Sequence, residues 1–388
     1  MKTSQSGMFS RPQLGFSLIE LMIAMVIGLA IGAALIQLFI ASRVTYNVSD
    51  GLARAQESAR YALEIMNRDI RMADSEAICG NRSVDIRNWV DDPALAELMN
   101  QNPVMGWEYD GTGVEEELAL PATGGTDPSD WSNGTDGLPA ALASSTFQAL
   151  AGSDVFAMYT LSPNRSGCSG CDQGKSGEVF PNIPTCPIGQ QTGSCDAGIP
   201  QGAAFLAVNC DLGLGDVCIN VPKGTASVLV CKGTEPAGHP GNWPPYNTET
   251  EFYQPSVIHY AVAESSASTA QRPRQALWRL INCGDGSGSP DLSCIREELV
   301  DGVESLQIFY RVRNEPGLWT AANIPGNRWD LVEAVHLNLI MASPEDADNR
   351  ALAQTLLIEG DLEVTANDRR VRQVYSNVVA VRNRITVR

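Results

Sequence analysis

Ten cysteines and three histidines are the side chains of this 388-residue sequence best suited to chemistry. Cys168 and Cys171 form a CSGC step, followed by Cys186 and Cys195, a spacing that could serve a dithiol redox pair or half of a zinc site. The step lies in Gly/Ser-rich sequence and the later cysteines do not repeat CxxC, so plain bridges are expected. Cys283 and Cys294 flank the loop GDGSGSPDLS and are the candidate local disulfide. The same loop, at 284–291, is rich in oxygen donors, but it lacks the EF-hand ligand order and its terminal glutamate, so no metal is assigned. His239, His259 and His336 stand alone, the last two inside strand patterns, and no nucleophile and base share a motif. No catalytic set and no cofactor are expected, and the chain reads as a non-enzyme.

The informative acid is Glu20. It precedes an uncharged run, 21–42, which as a helix is about 33 Å long and matches a bilayer core of about 30 Å. A carboxylate at the centre of such a helix is unfavourable by roughly 2.5 to 3.5 kcal/mol, less toward the end, so it tends to be kept for a cationic partner. Within the run, Gly28 and Gly32 stand four apart, a spacing that either admits a close neighbouring helix or is merely tolerated.

Residues 15–22, GFSLIELM, follow a leader carrying Lys2 and Arg11. This order of basic segment, glycine and span-length apolar helix resembles the class III signal of type IV prepilins. The resemblance implies cleavage between Gly15 and Phe16 by a membrane prepilin peptidase and N-methylation of Phe16. It also implies pairing of Glu20 with the terminal amine of an adjacent subunit, which sets inter-subunit register. An ordinary secretory signal loses its apolar segment, whereas here the mature chain would keep it.

Beyond the run, Leu52, Ala55, Ala59, Ala62, Met66, Ile70 and Ala73 recur at three and four residues, with Arg54, Glu57, Arg60, Glu64, Arg68 and Arg71 on other faces. The pattern predicts one helix from 16 to about 74, on the order of 90 Å long. The 35 Gly and 22 Pro indicate a loop-rich head, and 44% hydrophobic content suffices for a core. The formal charge of −18 becomes −20 when Lys2 and Arg11 leave with the leader, which argues against nucleic acid as a partner. With the basic leader held inside the inner membrane, all the cysteines fall on the far, oxidising side.

The expected organisation is a leader at 1–15, a membrane and filament-core helix at 16–42, and its amphipathic continuation at 43–75. A loop-rich, cysteine-bearing insertion at 76–200 and a β-rich head at 201–388 follow. In the insertion only 153–161 reads as a firm strand. From 203 onward strand patterns recur at 203–210, 226–231, 257–263, 276–283, 299–312, 331–341 and 371–387. The stretches LVDGVESLQIFYRVR, RWDLVEAVHLNLIMAS and VYSNVVAVRNR are similar to the sheet-forming blocks of the PilW group of minor pilins and of the related J-type minor pseudopilins.

That resemblance implies an α+β type IV pilin fold, a long amino-terminal helix packed on an antiparallel sheet. It implies a structural minor pilin that joins other minor pilins and the major pilin, primes assembly and sits at or near the tip with a PilY-type adhesin. Surface piliation, twitching motility and adhesion would depend on it. A minor pseudopilin of a type II secretion system is the alternative.

Overall fold

The computed structural model describes residues 17–73, 79, 85–88, 104–122, 127–144, 146–164, 178–179, 185–186, 199–200, 204–211, 214–223, 226–230, 250–269, 273–283, 294–343, 346 and 351–381. The fold is α+β, with one long apolar amino-terminal helix and sheets that are mostly antiparallel. The chain divides into two units, Met1–Asp50 and Gly51–Arg388.

The helix, Leu18–Arg71, is continuous, with Glu20 in its first turn and Arg68 and Arg71 in its last, the polarity that favours each charge at its end of the helix dipole. In the first unit it is apolar and exposed, with a window of mean hydropathy 2.5 of which none is buried. In the second unit the expected stripe is buried: Ala55, Ala59, Ala62, Met66 and Ile70, with Gly51 and Asp69 on the same face. Four of these are glycine or alanine, which lets the backbone lie close to what it packs on. Met66 and Ile70 supply the larger apolar area, about 1.5 to 3 kcal/mol each on full burial.

The core this face enters is shared by two sheets. Phe156, Met158, Ile258, Tyr260 and Val262 come from the larger one, and Leu306, Ile308, Leu337 and Leu339 from the smaller. Along the larger sheet, strands Val104–Tyr109, Val155–Asn164, Thr250–Glu264, Ala204–Asn209, Leu214–Lys223 and Ala226–Val230 are hydrogen-bonded in that order. The long strand Thr250–Glu264 also pairs with Gln275–Ile281, which in turn pairs with Ile295–Asp301. The smaller sheet has Val303–Val312, Val332–Ala342 and Arg372–Ala380 in antiparallel order.

Three differences from the sequence reading have local causes. The pattern at 299–312 is two strands rather than one. Gly302 takes φ +82° between them, and a Cβ there would lie 3.2 Å from the Ala342 carbonyl oxygen, so the chain turns out of one sheet and into the other at a residue that only glycine fills easily. Second, strands within the turn-rich region enter the sheets, since Val104–Tyr109 pairs with Val155–Asn164, and Glu117–Leu120 pairs in parallel with Glu363–Asp368. Third, Leu352–Leu357 and Glu363–Asp368 form a hairpin that the strand pattern did not suggest. Its turn contains Gly360 at φ +79°, where a Cβ would meet the Phe309 ring at 2.9 Å.

Candidate assembly interface

The first unit contributes Glu20 and an apolar surface. Glu20 is exposed in the first helical turn, and Leu21 N donates to Ser17 O at 3.1 Å as the helix begins. Around it Leu18, Ile19, Met22, Ile23 and Met25 each expose more than half of their surface, an apolar concentration that water does not favour and that a bilayer or a neighbouring helix would cover. A Cβ at Gly28 or Gly32 would meet nothing within 4 Å. Both backbones are therefore open to a close approach from outside the chain. Gly15 and Phe16 lie outside the described residues.

In the second unit the helix is fixed to the head by a polar contact. Asp69, fully buried, accepts a hydrogen bond from Tyr260 Oη at 2.7 Å. It also accepts an ion pair from Arg279 Nη2 at 2.7 Å and one from the neighbouring Arg68 Nε at 3.2 Å. Burial, with the nearby Asp69 carboxylate, pushes the Tyr260 hydroxyl well above its ordinary value. The register that delivers these groups follows from pairing, for Tyr260 faces Arg279 directly across adjacent strands. On sequence alone Asp69 is one acid on a charged helix and looks solvent-facing. Its position three residues after Met66 and next to Ile70 was the available signal.

Two further polar knots lie in the head. Arg372, with its side chain fully buried, donates from Nε to Glu304 Oε2 at 2.5 Å and from Nη2 to Asp368 Oδ2 at 2.6 Å, while Arg370 Nη1 reaches Glu304 Oε1 at 2.6 Å. The hydrogen bond from Arg372 holds the Asp368 carboxyl below its usual value. The other knot has no cation among the described residues. Asp154 Oδ2 accepts from Ile308 N at 2.8 Å and its Oδ1 from Tyr109 N at 3.1 Å. Glu108 Oε2 accepts from Ala322 N at 3.2 Å. Burial raises both carboxyls, Asp154 strongly, and the Glu108 charge raises Asp154 further.

Among the cysteines, Cys283 and Cys294 form a disulfide, and Cys79 is bridged to Cys210 across 131 residues of sequence. Cys168, Cys171 and Cys195 and the 284–291 loop lie outside the described residues, as do His239, Trp89, Trp243 and Tyr246. Within the described residues no cluster of His, Cys, Asp and Glu is arranged to hold a metal. His259 is buried, its Nδ1 has no partner, and burial pushes its pKa down to about 4. His336 Nδ1 lies 2.8 Å from Glu359 Oε2. Trp107 and Trp131 are buried in a second apolar cluster with Leu142 and Phe147, so these aromatics anchor the turn-rich segment to the head.

A long helix, apolar and exposed toward its amino end, with an acid in its first turn and a disulfide-bearing β head, is consistent with a pilin-like fold. Residues 10–36 match the family model described as the prokaryotic N-terminal methylation motif, and residues 259–383 match the one described as type IV pilus-assembly protein W. These matches support a type IV pilin-like minor pilin of the PilW group. The second match includes Tyr260, the strand that presents Arg279 and all three strands of the smaller sheet. The methylation motif and apolar helix fit a pilin anchored in the inner membrane with a periplasmic head, later incorporated in the pilus. Comparison with curated proteins and with solved structures gives no match.

Proposed function

We propose that this chain is a structural minor pilin that joins other minor pilins in a small complex, primes polymerisation of the major pilin and is carried at or near the pilus tip. The observation that carries the proposal is Glu20, an acid in the first turn of an otherwise apolar, exposed helix. In a bilayer or a filament core such a carboxylate is tolerated when a cation meets it, and the terminal amine of a cleaved neighbour, at Phe16, would supply that cation. Prepilin peptidase would cut between Gly15 and Phe16 and methylate Phe16. The helix would pack among sibling helices, and the head would meet other minor pilins and a PilY-type adhesin. Piliation, twitching motility and adhesion would follow from assembly rather than from any catalysis by the head.

The test is deletion of the gene with complementation by the wild type or by Glu20→Val. Deletion should lower surface pili without lowering total major pilin. Glu20→Val should insert and be cleaved normally yet fail to restore piliation. Normal piliation in the deletion strain, combined with co-purification of the protein with type II secretion pseudopilins, would replace this reading by the secretion alternative.

A further inference from the structure

We infer that the outer edge of the strand Arg372–Ala380 is a self-association surface, on which the same edge of a second copy of this chain pairs antiparallel and joins two of the smaller sheets into one. The strand lies at the end of its sheet. On one side it is bonded to Val332–Ala342, and on the other it meets no strand among the described residues.

The bonds at either end of the strand fix which groups face outward. Ser343 N donates to Val371 O, and Val381 N donates to Glu333 O, so the odd-numbered residues bond inward to the neighbouring strand. In an antiparallel pair the residues alternate, and the even-numbered ones therefore turn their N–H and C=O away from it. Arg372 shows this directly, for its N donates to the side-chain Oε1 of Gln354 at 2.9 Å, while Gln354 Nε2 donates to Arg370 O at 2.6 Å. One glutamine amide thus closes the edge where the strand begins. Beyond it, among the described residues, nothing bonds to the outward backbone of Val374, Ser376, Val378 or Ala380.

An open edge is a template for another strand, and folded proteins guard such edges with charge, proline or a bulge. The edge strand Ile295–Asp301 of the larger sheet is guarded in this way: it carries Arg296, Glu297, Glu298 and Asp301, and its register with the neighbouring strand is irregular. Residues 373–380, QVYSNVVA, have no charge and no proline, and their register is regular. Ser376 is exposed and Val378 exposes half of its surface.

A second copy fits this edge in charge and in register. The whole chain has a formal charge of −18, so two copies repel one another, and contact is least opposed along an uncharged segment. Outward residues must meet outward residues, and Gln354 already holds Arg372. The longest two-fold register then sets Val374 opposite Ala380 and Ser376 opposite Val378, and each outward N–H and C=O of these residues meets its counterpart in the other copy. Tyr375 faces Val379, and Asn377 faces Asn377 on the two-fold axis. No like charges are opposed.

The test is oxidative cross-linking of the full chain in detergent micelles, carrying either Asn377→Cys or Gln373→Cys, read by non-reducing electrophoresis. Across the axis the Cα atoms of the two Asn377→Cys sites lie about 4.5 Å apart, within disulfide reach. The two Gln373→Cys sites are separated along the paired strands by about 27 Å. Asn377→Cys should form the dimer about tenfold faster than Gln373→Cys or more. Adding Val378→Lys, which charges the edge and leaves the inward bonds in place, should remove that difference. Without any cysteine substitution, the chain should sediment as two copies and Val378→Lys as one. Equal linking at the two positions, no linking at Asn377→Cys, a dimer that survives Val378→Lys, or linking of Asn377→Cys in cells to a different protein instead of its own copy would each overturn the inference.

Discussion

Tyr260 Oη donates to Asp69 Oδ2 at 2.7 Å across 191 residues of sequence. The same carboxylate oxygen meets Arg279 at 2.7 Å, so the last turn of the helix is tied to two adjacent strands of the larger sheet by one fully buried acid. Buried ion pairs add little net stability against an apolar replacement, but removing one partner leaves the other charge stranded. Asp69→Ala is expected to destabilise the head by about 3 to 5 kcal/mol, and Tyr260→Phe by about 1 kcal/mol. Urea denaturation of the detergent-solubilised full chain measures both. A loss below 1 kcal/mol for Asp69→Ala would mean that the apolar stripe alone fixes the helix.

Gly106 and Tyr310 make a steric prediction. A Cβ at Gly106 would lie 1.9 Å from Tyr310 Oη, and that hydroxyl has no hydrogen-bond partner to lose. Gly106→Ala should cost about 1 to 3 kcal/mol, Tyr310→Phe should be near neutral, and the pair should recover a good part of the loss. Additive effects in the double-mutant cycle would show that the two side chains do not collide.

The disulfides should differ in worth. Cys79 and Cys210 close a far longer loop than Cys283 and Cys294, separations of 131 and 11. On chain entropy, replacing the first pair by serine should cost about 4 to 5 kcal/mol and the second about 3. Thermal melting of the two double variants ranks them, and equal losses would contradict the entropic ordering.

Buried His259 makes the head's stability depend on pH. Its folded pKa, about 4, lies below the ordinary 6.5, so the unfolded chain takes up the proton first. Stability is complete above pH 6.5 and falls as pH drops toward 4, by about 3 kcal/mol at 1.36 kcal/mol per pH unit. His259→Phe should remove that part of the acid limb in a pH series of unfolding midpoints. An unchanged acid limb would place the proton elsewhere.

Much of this was legible in the sequence. The helix, its buried stripe and the core strands of the smaller sheet follow from periodicities of 3.6 and 2 that local patterns carry. What was hidden depends on pairing at long range. Asp69 looks like one more charge on a charged helix until Tyr260 and Arg279 arrive from strands some 190 residues later. Residues 104–120 read as turns because their strands are short and interrupted by glycine and acids, and their strand character comes from partners at 155–158 and 363–366. Gly302 hid a change of sheet inside one continuous β pattern, since a single glycine leaves the alternation on either side intact. Glu20 stands out in the sequence because an acid beside a span-length apolar run conflicts with local physics, and such a conflict shows without a fold.

The most direct measurement is mass spectrometry of pili sheared from cells expressing this chain at its native level. A minor pilin predicts a substoichiometric component of the sheared fraction whose amino-terminal peptide begins at N-methylated Phe16, absent when prepilin peptidase is deleted. Recovery of the protein solely in the membrane fraction, with the bond between Gly15 and Phe16 uncut in the presence of the peptidase, would contradict it.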